Sequence, residues 1–276
     1  MKEGNLEAPK RAPIDWKNPE YYDQQSLEKE MERVFDACHG CRRCVSLCDS
    51  FPTLFDLIDE SDTFEVDGVD KGDYIKVVDE CFLCDLCAET KCPYLPPHEW
   101  AIDFPHLMLR AKAIKHESKK SRWRDKVLTS TDVTLGTASS PGIAPIVNKA
   151  LDSKTIRKVL DKTVGIHPEA PVPKFARPTK TTSNSHVERK DTQDQLKVAI
   201  FATCYDKNTK SSLIEDLMAI FNHNAIHTKI IWDASCCGMP KLELGDLKQV
   251  ERSKNANLPH LIEAVDKGYQ IVSAIP

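Results

Sequence analysis

The stretch CFLCDLCAETKCP, residues 81–93, and its counterpart CHGCRRCVSLC, residues 38–48, decide the fold of the amino-terminal half. Together they hold eight of the eleven cysteines of the chain. Each run places three thiols on a short stretch of backbone with a fourth close behind, which is a donor set typical of a metal site. The cysteines of the two runs are Cys38, Cys41, Cys44, Cys48, Cys81, Cys84, Cys87 and Cys92.

The second run resembles the C-x2-C-x2-C-x3-C-P run of two-cluster bacterial ferredoxins, in which the fourth cysteine of each run serves the other cluster. The resemblance implies two [4Fe–4S] clusters with crossed ligands. One would be held by Cys38, Cys41, Cys44 and Cys92, and the other by Cys81, Cys84, Cys87 and Cys48. Two details depart from the ferredoxin pattern. Asp49 replaces the proline of the first run, and four residues rather than three separate Cys87 from Cys92.

Two other interpretations of the cysteine runs are structural zinc and disulfides. Structural zinc sites usually take two cysteines from each of two C-x2-C units, whereas each run here offers four thiols. Disulfides fit an odd total of eleven cysteines poorly. The sequence also opens without a secretory signal pattern, so we expect a reducing, cytoplasmic environment.

Length and charge narrow the function classes. A chain of 276 residues has room for two modest domains, and its net charge of −4 gives no general case for nucleic acid. No run of about 18 apolar residues is present to span a bilayer. Residues 110–126 hold eight Lys or Arg against two acids, so a helix there is either a solvated face or a contact to an acidic partner or the inner face of the cytoplasmic membrane.

The residues around the two runs predict helices. Residues 1–24 are polar and contain three prolines, so we expect a flexible arm. Apolar residues at helical spacing predict a helix over 26–38 and a long helix over about 104–127. The sequence therefore predicts an all-helical two-cluster ferredoxin domain over residues 25–130.

The carboxyl-terminal half has a different texture. Residues 131–195 are rich in Pro, Ser and Thr and predict a connector with one helix over about 143–164. Residues 196–276 predict an α/β domain with a parallel sheet, which makes the whole chain α + α/β. The predicted strands are 197–202, 227–232 and 270–275, and the predicted helices are 213–221 and 246–265.

A second constellation of cysteines follows two of these strands. Cys204 comes after the first strand, and Cys236-Cys237-Gly238 after the second, so both reach the carboxyl edge of the sheet, where open α/β sheets bind ligands. A cluster site, a redox dithiol and ordinary packing are the alternatives for the thiols. Lys241 and Glu243, just downstream, are candidates to line the same site.

With FATC at 201–204 and CCGMP at 236–240, the chain resembles the iron–sulfur subunits that carry a cysteine-rich CCG domain. That group includes the C subunit of anaerobic glycerol-3-phosphate dehydrogenase, the glycolate oxidase iron–sulfur subunit and heterodisulfide reductase. The resemblance implies that Cys204, Cys236 and Cys237 take part in binding a further iron–sulfur cluster. The final C-x2-C of the CCG motif is missing, so we expect a partial, truncated CCG domain.

The expected function is electron transfer. No G-x-G-x-x-G fingerprint for FAD or NAD is visible in the sequence, so the resemblance implies a flavoprotein dehydrogenase or other redox subunit as the electron source. A quinone or another electron carrier would be the acceptor, and the chain would be an oxidoreductase subunit that is not catalytic alone. The alternative is a catalytic subunit like heterodisulfide reductase, acting at a CCG-bound cluster. Asp49, Asp85 and Glu89 are expected to lower the cluster potentials.

Overall fold

The computed structural model describes residues 10–89, 92–176, 196–209 and 212–275. The first part of the predicted arm, most of the second half of the predicted connector and Pro276 lie outside these ranges. The chain divides into two compact units: unit 1 comprises residues 1–121 and 241–247, and unit 2 comprises residues 122–240 and 248–276.

Every regular element described in unit 1 between residues 10 and 121 is a helix. The α-helices are α1 Gln24–Cys41, α2 Ser50–Asp59, α3 Tyr74–Asp79, α4 Leu86–Glu89 and α5 Phe104–Glu117. Short 3-10 helices lie at Pro19–Tyr22, Val66–Gly68 and Lys71–Asp73. None of the helices in the described part of the chain combines the length and the apolar character needed to cross a bilayer.

Helix α1 shows how the sequence builds this unit. The Asp23 side chain caps its first turn by accepting a hydrogen bond from the Ser26 amide. The residues predicted to form its apolar face are all buried, and the helix continues past the predicted end into the first cysteine run. These buried residues are Leu27, Met31, Val34 and Phe35.

Aromatic rings form the centre of unit 1. Phe35 of α1 contacts Tyr74 of α3 with ring centroids 5.0 Å apart, and it also contacts Phe104 of α5 at 6.2 Å. Phe104 in turn lies 4.7 Å from Phe51 of α2. Such ring pairs contribute roughly 0.5–1.5 kcal/mol each beyond the area they bury. The four helices are therefore tied to one another through a continuous aromatic core.

The single helix predicted over 104–127 is wrong. Helix α5 ends at Glu117, and α6 spans Trp123–Leu128. The break coincides with Lys119, whose φ of 57° lies in the left-handed region that α-helices do not continue through. The basic segment 110–126 is accordingly not one charged helix. In its first part Arg110 donates to the Tyr21 carbonyl and Lys115 pairs with Asp79, so these charges are satisfied within unit 1.

Residues 122–176 of unit 2 contain more helix than predicted. After α6 come α7 Thr131–Ala138, α8 Ala144–Leu151 and α9 Lys154–Val164. The single helix predicted over 143–164 is interrupted because Ser153, the residue before α9, has an extended backbone (φ −79°, ψ 119°). Residues 171–176 are mostly irregular, and the Asn148 side chain both donates to and accepts from the Phe175 backbone at 2.8 Å.

The remainder of unit 2 is the α/β part. It contains β1 Lys197–Phe201, α10 Cys204–Asn208, α11 Leu213–His223, β2 His227–Ile231, α12 Met239–Leu244, α13 Leu247–Asp266 and β3 Tyr269–Val272, with Lys241–Leu247 assigned to unit 1. All three strands are parallel in the order β2-β1-β3, with Lys197 opposite both His227 and Tyr269. The predicted α + α/β class and parallel sheet are thereby confirmed. Since β1 is central, the loops after β1 and β2 leave neighbouring strands at the same edge.

Candidate metal centres

The backbone of the first cysteine run turns sharply after a helix. Cys38 and Cys41 lie three residues apart on α1, so both face the same side of the helix. Arg42 then adopts a left-handed conformation with φ 49°, and its amide closes the helix on the Cys38 carbonyl at 2.8 Å. The following turn, in which the Leu47 amide donates to the Cys44 carbonyl, brings the third thiol round to the end of the helix.

The second run has an irregular backbone at its centre. Leu83 and Asp85, on either side of Cys84, have φ values of 54° and 60°. A left-handed conformation at a residue with a side chain costs roughly 1–2 kcal/mol, and such strain is found mainly at functional sites. The Cys92 amide donates to the Cys87 carbonyl at 2.9 Å, which brings the fourth thiol back despite the extra residue in the spacing.

The structure brings together the four thiols that the ferredoxin resemblance assigns to the first cluster. Cys38, Cys41, Cys44 and Cys92 line one cavity of about 360 Å³ of empty space, part of it open to solvent. We call it the four-thiol cavity. Its other lining residues are mainly apolar and include Phe51, Phe55 and Ile102.

The other four thiols of the two runs adjoin this cavity. Cys87 interacts electrostatically with Cys44, Cys81, Cys48 and Cys84. We call Cys48, Cys81, Cys84 and Cys87 the second thiol group. Because Cys87 reaches both Cys44 and Cys48, the two groups are immediate neighbours.

The thiol chemistry fits a metal–sulfur group at these positions. Burial raises the pKa of the Cys38 thiol well above its usual value, and burial likewise raises the pKa values of Cys81, Cys87 and Cys92. Neighbouring thiols add to the shift, because several thiolates in one apolar space repel each other. Metal ligation requires the thiolate form, so cationic iron among these sulfurs would supply the missing compensation.

The third set of cysteines lies in unit 2. Cys204 begins α10, whose first turn is fixed by a capping box between Thr203 and Asp206. Cys204 and Cys236 are buried, whereas Cys237 is exposed. We call these three cysteines the three-thiol site; they come together as the carboxyl-edge argument predicted for a parallel sheet.

A threonine outside the predicted domain completes this site. Thr131, the first residue of α7, is 6% exposed, and its Oγ1 lies 3.5 Å from both Cys204 Sγ and Cys236 Sγ. The Cys204 thiol donates to this oxygen. Sequence reasoning placed Thr131 in the connector and missed it, because nothing in the local pattern indicates a contact across 105 residues.

Asn257 of α13 holds the loop that carries the vicinal cysteines. Its Oδ1 accepts from the Ser235 amide at 2.7 Å, and its Nδ2 donates to the Cys236 carbonyl at 3.0 Å. Gly238 follows with φ 96°, a conformation that side-chain-bearing residues rarely adopt. The motif Cys-Cys-Gly pointed to Gly238, whereas Asn257 has the pattern of an ordinary helix residue.

The three thiols share their protons unequally. Hydrogen bonds from Cys204 and Cys237 lower the pKa of the Cys236 thiol. The same contacts with Cys236, together with burial, raise the pKa values of Cys204 and Cys237. One thiolate is therefore favoured here, and further thiolates require a cation.

The donor set of the three-thiol site fits a metal–sulfur group less completely than the four-thiol cavity does. It offers three sulfurs, and Asp206 Oδ1 is buried without a hydrogen-bond partner in the described structure. Among the described residues, no three His, Cys, Asp or Glu side chains converge on a point where one metal ion would contact them all. The predicted candidate Glu243 is in the part of α12 assigned to unit 1, where it acts on Lys112.

Comparison with known proteins identifies the second half of the chain. Residues 198–275 match the cysteine-rich domain family named CCG. The C subunit of anaerobic glycerol-3-phosphate dehydrogenase from Escherichia coli K12 is 28% identical over 168 residues, which are 60% of this chain and 42% of the relative. Citrate utilization protein B from Escherichia coli is 32% identical over 85 residues, which are 31% of this chain and 20% of the relative.

The chain thus spans about two fifths of the length of the first of these relatives and a smaller share of the second. No solved structure gives a significant match. The predicted resemblance to the glycerol-3-phosphate dehydrogenase group is confirmed, and residues 198–275 are a cysteine-rich domain of the CCG family.

Proposed function

We propose that this chain is an iron–sulfur electron-transfer subunit of an oxidoreductase. The observation that carries the proposal is the adjacency of two groups of four thiols, the four-thiol cavity and the second thiol group, with Cys87 in reach of both. When bound, [4Fe–4S] clusters supply one-electron carriers. The protein's own part is to hold the thiolates, to exclude water with Phe51, Phe55 and Ile102, and to place the two groups side by side.

The ligand sets we propose are those of the crossed ferredoxin pattern. Cys38, Cys41, Cys44 and Cys92 would hold one cluster, and Cys48, Cys81, Cys84 and Cys87 the other. The CCG domain supports a third iron–sulfur group at the three-thiol site. Since that site offers three thiols in the described structure, its occupancy would be more labile than that of the two groups of four.

Partners follow from the relatives. The name of the relative in the glycerol-3-phosphate dehydrogenase describes one subunit of a larger enzyme, which supports a flavoprotein dehydrogenase or another redox subunit as electron source. We propose a quinone or a soluble carrier as acceptor, and a cytoplasmic location with peripheral contact to the inner face of the membrane. The exposed basic residues that remain for such contact are Lys119, Lys120, Arg122 and Lys126.

Anaerobic purification and ligand substitution test the proposal. The protein should contain iron and sulfide in equal amounts, with visible absorbance that dithionite bleaches and a paramagnetic signal on reduction. Cys92→Ala and Cys84→Ala should each remove one cluster signal and about half of the iron bound by the two runs. Cys237→Ala is the matched control and should leave both signals. Zinc without iron, or iron that survives both substitutions, would overturn the proposal.

A second candidate function rests on the exposure of Cys237 beside two buried thiols. An accessible sulfur at this position favours a catalytic role at the three-thiol site, in which a disulfide substrate is reduced with electrons from the other clusters. Turnover of a heterodisulfide by the isolated protein, lost in Cys237→Ala, would support it. Inertness without a partner, together with electron uptake from a reduced flavoprotein, would favour electron transfer alone.

A further inference from the structure

The first described residues of the chain are anchored beside the cysteine loops. Arg11 binds Asp103 through both ends of its guanidinium group, with Nε 2.8 Å from Oδ2 and Nη2 2.7 Å from Oδ1. Its third contact is from Nη1 to Asp85 Oδ2, also at 2.8 Å. The preceding Lys10 amide donates to the Pro96 carbonyl at 3.0 Å. The predicted flexible arm is therefore fixed in this part.

Both carboxylates stand next to proposed cluster ligands. Asp85 lies between Cys84 and Cys87 of the second thiol group, on the strained turn described above. Asp103 caps α5 by accepting from the His106 amide, and it acts electrostatically on Cys92 of the four-thiol cavity. A single cation thus faces one acid at each of the two groups.

The contact is shielded from water. The side chains of Arg11 and Asp103 are 16% and 15% exposed, whereas that of Asp85 is 41% exposed. Paired charges that are partly buried are screened less by salt than exposed ones, so their effect on a neighbouring centre persists. A bidentate guanidinium–carboxylate pair also has a fixed geometry that lysine does not reproduce.

We propose that Arg11 is a positioning residue that neutralises Asp85 and Asp103 and thereby sets the potentials of both proposed clusters. This inference rests on the proposed function. Without Arg11, two uncompensated carboxylates would oppose the extra electron that each cluster accepts on reduction. The expectation that Asp85 lowers the potential then applies to the variant without Arg11 and far less to the native chain.

The test is a dithionite redox titration of the intact protein, followed by electron paramagnetic resonance, in which each cluster gains one electron from the reductant. Arg11→Gln should make both clusters harder to reduce, by about tenfold in the reduction equilibrium, which is about 59 mV for a one-electron couple. Arg11→Gln with Asp85→Asn should move the potential of the second cluster back towards the native value. Arg11→Lys, which keeps the charge, should shift both potentials less than Arg11→Gln.

Arg33→Gln is the matched control, because Arg33 pairs with Glu30 on the surface of α1. It should leave both potentials unchanged. Iron and sulfide content is measured in every variant, so a loss of clusters is distinguished from a shift in potential. A native protein without clusters would overturn the proposed function. Clusters present at full content, with potentials that Arg11→Gln does not move, would overturn the role of Arg11 alone.

Discussion

The four-thiol cavity and the three-thiol site are built in different ways. Three of the four cysteines of the cavity lie within seven residues of sequence, on the end of α1 and the turn after it. The three-thiol site joins Cys204, the Cys236-Cys237 pair and Thr131 from widely separated segments. The first centre depends on local backbone geometry and the second on the sheet and its supporting side chains. Substitutions that remove these supports should therefore affect the two centres differently.

The largest effect is expected from the aromatic core of unit 1. Phe35 is 0% exposed and contacts both Tyr74 and Phe104. Phe35→Ala should lower the free energy of unfolding of unit 1 by about 3–5 kcal/mol, because it removes a buried ring and leaves a cavity. Urea unfolding followed by circular dichroism measures this. Phe64→Ala, at a residue 66% exposed, should change stability by less than about 0.5 kcal/mol.

If the two centres depend on separate supports, Phe35→Ala should release the iron of the two runs at lower urea than in the native protein. The alkylation rate of Cys237 at that urea concentration should stay native. Equal exposure of both centres at one urea concentration would contradict the distinction.

The next effect concerns the loop of the three-thiol site. Asn257→Leu should destabilise unit 2 by about 1–3 kcal/mol, because it leaves the Ser235 amide and the Cys236 carbonyl without their partner. Asn257→Asp should cost less, since a carboxylate still accepts from the Ser235 amide. Faster alkylation of Cys236 in iron-free protein is the readout. Asn255→Leu, at an exposed position of the same helix, should leave the rate unchanged.

Two glycines should respond with opposite signs. Gly245 has φ 84°, and a Cβ there would lie 2.3 Å from the Lys112 carbonyl oxygen, so Gly245→Ala should cost at least about 1–2 kcal/mol from backbone strain alone. Gly136 lies inside α7, and a methyl group added there would meet nothing within 4 Å, so Gly136→Ala should stabilise by about 0.5–1 kcal/mol. Thermal unfolding compares them, and a shift of the same sign in both would contradict the packing at Gly245.

The smallest effect concerns pH. Burial lowers the pKa of His106, with Asp103 opposing the shift. The unfolded chain therefore binds more protons on His106 than the folded one as pH falls through its usual value of 6.5, and stability declines in that direction. Between pH 7 and pH 5, His106→Gln should lose slightly less stability than the native protein. Parallel loss in both proteins would show that His106 does not contribute.

The sequence predicted what depends on local pattern. Strand positions, the buried face of α1 and the approach of Cys204 to the Cys236-Cys237 pair follow from apolar spacing and from the rule that parallel strands share a carboxyl edge. The breaks in the two long predicted helices were missed. Lys119 and Ser153 are residues that helices tolerate, so propensity offered no signal for a change of backbone conformation there.

Long-range polar contacts were also beyond prediction. Arg11 and Asp103 are 92 residues apart, and a lone arginine in a polar segment is indistinguishable from a solvated one. The same holds for Thr131 and Asn257, whose partners are backbone groups and thiols brought near by the fold. A single sequence reveals which residues carry chemistry more readily than it reveals which residues support them.

Strand β3 has a consequence for handling the protein. It stands at the border of the sheet and pairs with β1, so among the described strands its other side offers free amide and carbonyl groups. Ile271, 36% exposed, adds an apolar side chain on that border. Such a border can recruit an extended segment from any neighbouring polypeptide. Concentrated samples are therefore prone to self-association by strand addition, and dilute storage is the safer choice.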